Sequence, residues 1–555
     1  MKNTFASPNA QWGPYETTLS EWHAKCEKMN IVPRLWQRDV TLWSKNPAAQ
    51  KEIKNRLGWL SLPRLMRPHL NELKTFQDDV KSAGFTHAVL LGMGGSSLAP
   101  EVMQSVLGNA VGFPTLLTLD STDPGRVKDV ESQIDLAKTL FIVSSKSGGT
   151  IELISFFKYF YDRVKTVRSE NPGSAFIAIT DPGTALEASA KEHKFWKTFL
   201  APEDVGGRFS ALSVFGLVPA AVIGADVPKL LSAAERMMAQ CSMEVPLTDN
   251  AAFALGLGMA VLAEEGRDKL TILASGSLTS FGDWVEQLVA ESTGKEGSGI
   301  LPVVREPLEA AENYGSDRFF VETVLEGEGK PNSPLVQGLV LGGHPVLSIF
   351  LKQNYDLGAE FFRWEVATAI ACALLKINAF DQPDVQLAKE AAKTFLEKAK
   401  KGGAVEPVVS DRSLETFWEN AEPGDYAAIL AFLPDREPLR QRLLKLRDTI
   451  RARTKLASTL GFGPRYLHST GQLHKGGPAK SLFILITSPS PEDLPIPGES
   501  YTFAGLELAQ AMGDYSALEN KARWVIHVRL AELSEKALEE ACTKIEAAIQ
   551  VPIAD

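Results

Sequence analysis

Short apolar runs and longer amphipathic stretches alternate along most of the chain. From His87 onward the runs 88–91, 115–119, 139–143 and 175–179 are apolar with little interruption, and helical spacing of apolar positions follows them. Runs buried on both faces belong to parallel strands covered by helices, so this part predicts a doubly wound α/β domain. A second series begins after a helical stretch at 227–266: strands over 270–274, 300–304 and 319–324, then helices over 355–378 and 383–400. A third piece carries strand-like runs at 427–432, 481–487 and 524–528, with helices near 435–457, 503–512 and 533–550. The first sixty residues lean helical and hold Trp12, Trp22, Trp36, Trp43 and Trp59, as expected of a segment laid across other domains. The expected organisation is a helical arm (1–60), two α/β domains with parallel sheets (61–225 and 226–402, ending near Lys401-Gly-Gly-Ala) and a C-terminal α/β extension (403–555).

Composition narrows the function. A chain of 555 residues with 44% hydrophobic and 23% charged residues is long enough for several cores and is not disordered. A net charge of -10 argues against a general nucleic-acid or anionic-membrane binder and leaves a small molecule as the expected partner. Cys26, Cys241, Cys372 and Cys542 lack the close spacing of a metal or redox motif, so no metal is expected and the default compartment is a reducing cytoplasm. The N-terminus has no apolar segment of signal-peptide length, and no later stretch approaches an uncharged membrane span.

The candidate chemistry starts at 139–153. There an apolar run ends in Ser145-Lys-Ser-Gly-Gly-Thr150 before a helical pattern. Unpaired N–H groups and the positive dipole end of a helix favour an anion, and Ser145, Ser147 and Thr150 add hydroxyl donors without bulk. Lys146 lies in the same turn. A second strand–turn–helix, Leu91-Gly-Met-Gly-Gly95-Ser96-Ser97, would aim Ser96 and Ser97 into the same crevice. It also admits a dinucleotide-binding reading, with Asp120 as the ribose acid, although serine stands at 97 where that fingerprint wants glycine.

Gly-Met-Gly-Gly-Ser, Ser-Ser-Lys-Ser-Gly-Gly-Thr and Gly206-Gly207-Arg208-Phe209-Ser210 occur in the order seen in phosphoglucose isomerases, and the chain resembles that family. Glu286-Gln287-Leu-Val-Ala-Glu291 resembles the segment of its catalytic glutamate, and Asp381-Gln382 through Lys389 its late lysine motif. The whole length is similar to the isomerase portion of bifunctional transaldolase/phosphoglucose isomerase proteins, with no transaldolase segment expected in these residues. The resemblance implies two sugar-isomerase-type domains, glucose 6-phosphate and fructose 6-phosphate as ligands, no cofactor, and a homodimer active in glycolysis and gluconeogenesis. It implies Glu291 as base, Arg208 as the charge beside the oxyanion and Lys389 in ring opening. Gly95, Ser96, Ser145, Lys146, Ser147, Thr150, Gly207, Gln287 and Gln382 become the substrate-binding set.

Moving a proton between neighbouring carbons through an enediolate needs one carboxylate and one fixed positive charge, which agrees with that set. Glu291 lies five residues beyond Glu286 and so on another helix face, with Glu286 expected in solvent. Lys389 falls seven residues after Gln382, about two turns, which puts both on one face of a continuous helix. One role stays vacant, because the stretch Glu309–Ser316 holds no histidine where the family has its ring-opening one. His344, in Gly-Gly-His-Pro, is one candidate. Gly471, Gly476, Gly477 and Pro478 predict a loop carrying His468, His474 and Lys475, and the working hypothesis is that this loop supplies the ring-opening imidazole. An NAD(P)-dependent dehydrogenase and a non-catalytic sugar-phosphate sensor are the alternative functions.

Overall fold

The computed structural model describes residues 9–329, 332–400, 407, 408, 410 and 412–549, so the boundary expected at Lys401-Gly-Gly-Ala lies outside the described residues. Among the described residues fourteen strands form three sheets: β1 (Asn9–Gln11), β2 (His87–Leu91), β3 (Thr115–Leu119), β4 (Thr139–Ser144), β5 (Phe176–Thr180), β6 (Lys197–Leu200), β7 (Lys269–Ala274), β8 (Leu301–Val303), β9 (Arg318–Leu325), β10 (Val346–Leu351), β11 (Tyr426–Phe432), β12 (Ala457–Phe462), β13 (Leu482–Thr487) and β14 (Trp524–Arg529). The first sheet runs β3-β2-β4-β5-β6 and is wholly parallel. The second runs β1-β10-β9-β7-β8 and is parallel except for β1, and the third runs β12-β11-β13-β14, again parallel. The C-terminal extension therefore repeats the architecture of the two domains before it. Among the described residues no helix is long and apolar enough to cross a membrane.

Four strands escape the apolar pattern, for different reasons. β1 comes from the arm expected to be helical and pairs Asn9 with Ser348 on β10. β6 is a half-exposed edge strand, and β10 is an apolar run set close behind His344-Pro345. β12 reads Ala-Ser-Thr-Leu-Gly-Phe and owes its burial to neighbours rather than to bulk. The helix expected to reach 457 stops at Thr454, where Lys455 takes a left-handed conformation (φ 57°) and turns the chain into β12.

The arm does lie across the other domains. Trp43 donates its indole N–H to the Ala369 carbonyl at 2.9 Å, Trp12 packs on Phe319, and the buried Trp59 lies against Phe209 and Phe362. At roughly 1.5–3 kcal/mol for each large apolar side chain buried, these rings make the arm part of the common core. The third sheet is seated similarly: Tyr426, Phe483 and Leu473 share a cluster with Leu301 and Val303 of β8 and Ala290 of the helix Thr279–Thr293. That contact places C-terminal residues beside Glu291.

Candidate functional site

The site begins at the carboxyl ends of β2 and β4. After β4, Ser145 to Thr150 form the turn and the helix Ile151–Lys165 follows. Gly148 (φ +65°) donates its N–H to Ser145 Oγ at 3.1 Å, and Ser145 Oγ lies 3.1 Å from Thr150 Oγ1. Thr150, at the position where a capping side chain would sit, makes no capping hydrogen bond, which leaves that helix start open to an anion. Lys146 does not reach into the turn, because Asp181 holds its ammonium at 2.5 Å.

After β2, Gly94 (φ +54°) and Gly95 let two other segments come close. A Cβ on Gly94 would meet Gln287 Nε2 and the His468 carbonyl at 2.8 Å, and one on Gly95 would run into the Gly207 carbonyl. Any larger side chain would push Arg208 and Gln287 away from the turn. Ser96 is buried at this junction, while Ser97 turns away from the crevice to Gly94 O (3.2 Å) and Asp120 Oδ2 (3.4 Å). Ser97 therefore does not join the cradle as expected.

Arg208 is buried and fully engaged. Nε donates to Ser292 Oγ (2.8 Å), Nη1 to Gln382 Oε1 (3.1 Å), and Nη2 to the carbonyls of Ala379 (2.5 Å) and Asp381 (3.0 Å). Its Nη1 also lies 3.0 Å from Glu291 Oε1, and Gln287 Nε2 donates to Glu291 Oε2 at 3.2 Å. Breaking such a buried pair costs about 3–5 kcal/mol, so the two side chains hold one another in place. Gln382 precedes the helix Val385–Lys400, so it shares no helical face with Lys389: one goes to Arg208, the other to the cradle side.

His468 joins the two halves. Its carbonyl accepts from Gln287 Nε2 at 2.8 Å, and its Nε2 lies 2.9 Å from Glu152 Oε1. The ring lines a cavity of about 340 Å³ with Ser147, Thr150, Glu152 and Lys389. Glu152 is the residue that sequence reasoning missed. Burial opposes its ionisation, but the His468 ring and the charge of Lys389 hold its carboxyl below the ordinary range, and Gln510 Nε2 donates to it at 2.7 Å. The available signal was an acid in the first turn of the cradle helix, a place an incoming phosphate would make unfavourable unless a cation stood opposite.

The rest of the expected histidine loop is not a loop. Gly471–Gly476 form a short buried helix, and His474 is 1% exposed among Tyr426, Tyr466 and Phe483, with neither ring nitrogen hydrogen-bonded. Burial keeps it neutral far below the usual histidine range. Lys475 is consumed by a buried pair with Asp514 at 2.5 Å. Lys475 therefore borders the cleft with its ammonium tied to Asp514, while His474 does not reach it. Neither does His344, whose ring touches Arg267 and the Ala311 carbonyl beyond β9. Glu286 is not in solvent either. It faces a second cavity, and burial there pushes its carboxyl up to about 8.

Parallel sheets with a phosphate-type turn at their carboxyl ends define an α/β protein of the sugar-isomerase type. A hypothetical protein of Thermus thermophilus superposes with a TM-score of 0.59 at 24% identity, over 70% of this chain and 99% of that one. A glucose-6-phosphate isomerase of Chlamydia trachomatis gives 0.50 at 21% identity, over 67% and 78%. The phosphoglucose isomerase profile matches residues 61–300. A glucose-6-phosphate isomerase of Carboxydothermus hydrogenoformans is 30% identical over 62% of this chain and 86% of its own length, and one of Prochlorococcus marinus is 29% identical over 67% and 75%. The chain belongs to the phosphoglucose isomerase family and is, as a member, an aldose–ketose isomerase.

Proposed function

We propose that the chain interconverts glucose 6-phosphate and fructose 6-phosphate through an enediolate. The observation that carries this reading is His468, whose carbonyl reaches the Gln287–Glu291 pair while its ring lines the cavity with Ser147, Thr150 and Lys389. In this reading Ser145, Ser147 and Thr150 hold the phosphate, with Gly95, Ser96 and Gly207 shaping the floor. Glu291 carries the proton between the neighbouring carbons. Arg208, fixed by its hydrogen bonds, offers a permanent charge to the enediolate oxygen without reorganising. Gln287 and Gln382 orient the sugar.

Ring opening falls to His468, with Glu152 holding its imidazole and Lys389 opposite. An imidazole works near neutral pH, so it can pass a proton from the anomeric hydroxyl to the ring oxygen. A dehydrogenase is disfavoured because Asp120, its ribose acid, is paired with Arg465 at 2.8 Å. We also assign the chain to glycolysis and gluconeogenesis in the cytoplasm, as a homodimer, on the strength of the family alone. The direct test supplies fructose 6-phosphate with no cofactor. Glucose 6-phosphate formation is expected, and an inert protein that still binds the sugar would point to a sensor.

A further inference from the structure

A second cavity, of about 420 Å³, borders the other face of the Glu291 helix, where the three sheet units meet. Asp120 and Arg126 reach it from the first unit, Glu286 from the Thr279–Thr293 helix, and Arg447, Thr459 and Arg465 from the third. Its size falls within the range of small-ligand sites, and its walls are polar at a place where three packed domains would be expected to meet through apolar surface.

Most of its charges are matched. Arg465 pairs with Asp120 (2.8 Å) and Glu101 (2.7 Å), Arg305 grips Asp283 through two bonds (2.8 and 2.6 Å), and Arg440 pairs with Asp435. Among the groups left over, one carboxylate oxygen of Asp435 has no hydrogen bond of its own although that carboxylate is paired with Arg440, and two donors stand without acceptors. Arg447, 2% exposed, gives Nε to Ser458 O (2.9 Å) and Nη1 to Val304 O (2.8 Å), but its Nη2 has no partner. Thr459 Oγ1, on a residue 4% exposed, has none either. Leaving such a group unpaired costs about 1–3 kcal/mol, more when it is charged, so each needs a reason to persist. Glu286 does not neutralise them. Burial keeps its carboxyl protonated up to about 8, which makes it one more donor near neutral pH. Arg126 at the wall adds a further positive charge. These donors come from four separate elements, the helices Pro124–Ser132, Thr279–Thr293 and Leu439–Thr454 and strand β12, and donors gathered from several elements suit an anion with several oxygens.

We propose that this junction cavity is a second ligand site, taking a small organic phosphate whose oxygens are received by Arg447 and Thr459. The site is built from residues that the isomerase reading does not use, and it stands independently of that reading.

Inorganic phosphate is the probe, measured by equilibrium dialysis against the full chain. The wild type should bind two ions per chain: one lost in Ser145→Ala with Thr150→Ala, the other in Arg447→Gln. Because Arg447 also holds two carbonyls, its variant could fail to fold; Thr459→Val keeps the volume, removes only an unbonded hydroxyl, and should weaken the junction ion about tenfold. Arg126→Gln should weaken it as well. A single ion per chain that only the Ser145/Thr150 variant abolishes overturns the proposal, as do two ions indifferent to Thr459→Val and Arg126→Gln. One ion sensitive to Thr459→Val and not to Ser145 and Thr150 would instead sink the cradle and leave the junction site standing.

Discussion

His468 and His474 sit in one short glycine-bearing segment, yet they live in opposite worlds. His468 stands beside a buried carboxylate with its side chain 14% exposed, and its main chain touches the Gln287–Glu291 pair. His474 is sealed among three aromatic rings with both nitrogens unbonded. What separates them is the third sheet. Gln472 is tied to Gly294 O (2.9 Å) and Asp384 (2.7 Å), and Lys475 to Asp514. These anchors hold the Gly471–Gly476 helix so that the His474 ring turns into the core while His468 stays at the cleft. A glycine-rich, polar composition reports that a chain turns, not which side of the turn is covered.

The largest effect should come from the chemistry His468 leans on. Glu291→Gln should lower kcat roughly 100-fold or more while sugar-phosphate affinity stays near wild type, and turnover above about a tenth of wild type would remove Glu291 as the base. His468→Ala comes next. Activity on cyclic glucose 6-phosphate should fall by roughly 10- to 100-fold, while proton exchange into an open-chain analogue continues. If His474→Phe lost as much, the contrast between the two histidines would collapse. Ser145→Ala combined with Thr150→Ala should raise KM for phosphorylated substrate by roughly tenfold with a smaller change in kcat, because that interaction is uniform binding. An unchanged KM would move the phosphate elsewhere.

The two smallest effects are on stability. Glu286 has a folded carboxyl near 8 and an ordinary one when unfolded, so the folded state binds the extra proton. Its contribution is complete below the unfolded value and is lost as pH rises through about 8. Glu286→Gln should therefore match wild type in thermal unfolding at pH 5 and exceed it at pH 9; identical curves at both would mean the carboxyl is solvated. His474→Phe should leave kcat within about twofold and raise the unfolding temperature slightly, since it relieves an imidazole buried without acceptors at about 1–3 kcal/mol. A fall in stability would show that the ring finds a partner.

The three α/β units were legible because buried parallel strands are apolar throughout, as in Leu140–Val143 and Leu482–Ile486. Gln287, Glu291, Arg208 and the Ser145–Thr150 turn were legible because their motifs stand intact. Glu152 was not. Its place in the first turn of the cradle helix was the one local sign, and the partners that give it a role, His468 and Gln510, lie far down the chain. Glu286 was misplaced for the converse reason, since helical spacing correctly put it on another face but could not show that a third sheet closes over that face.

The pairing of β1 with β10 sets a clock on biosynthesis. Asn9, Ala10 and Gln11 leave the ribosome hundreds of residues before their partners Ser348, Leu347 and Val346. Until then the strand has no sheet to join, and once β10 appears its outer edge is an open template for any passing strand. Loop closure over such a length costs only slightly more than over a much shorter one, because the entropy grows with the logarithm of length. The nascent chain thus carries its own edge protector well ahead of the strand it covers, ready to compete with other chains for β10 as soon as that strand emerges.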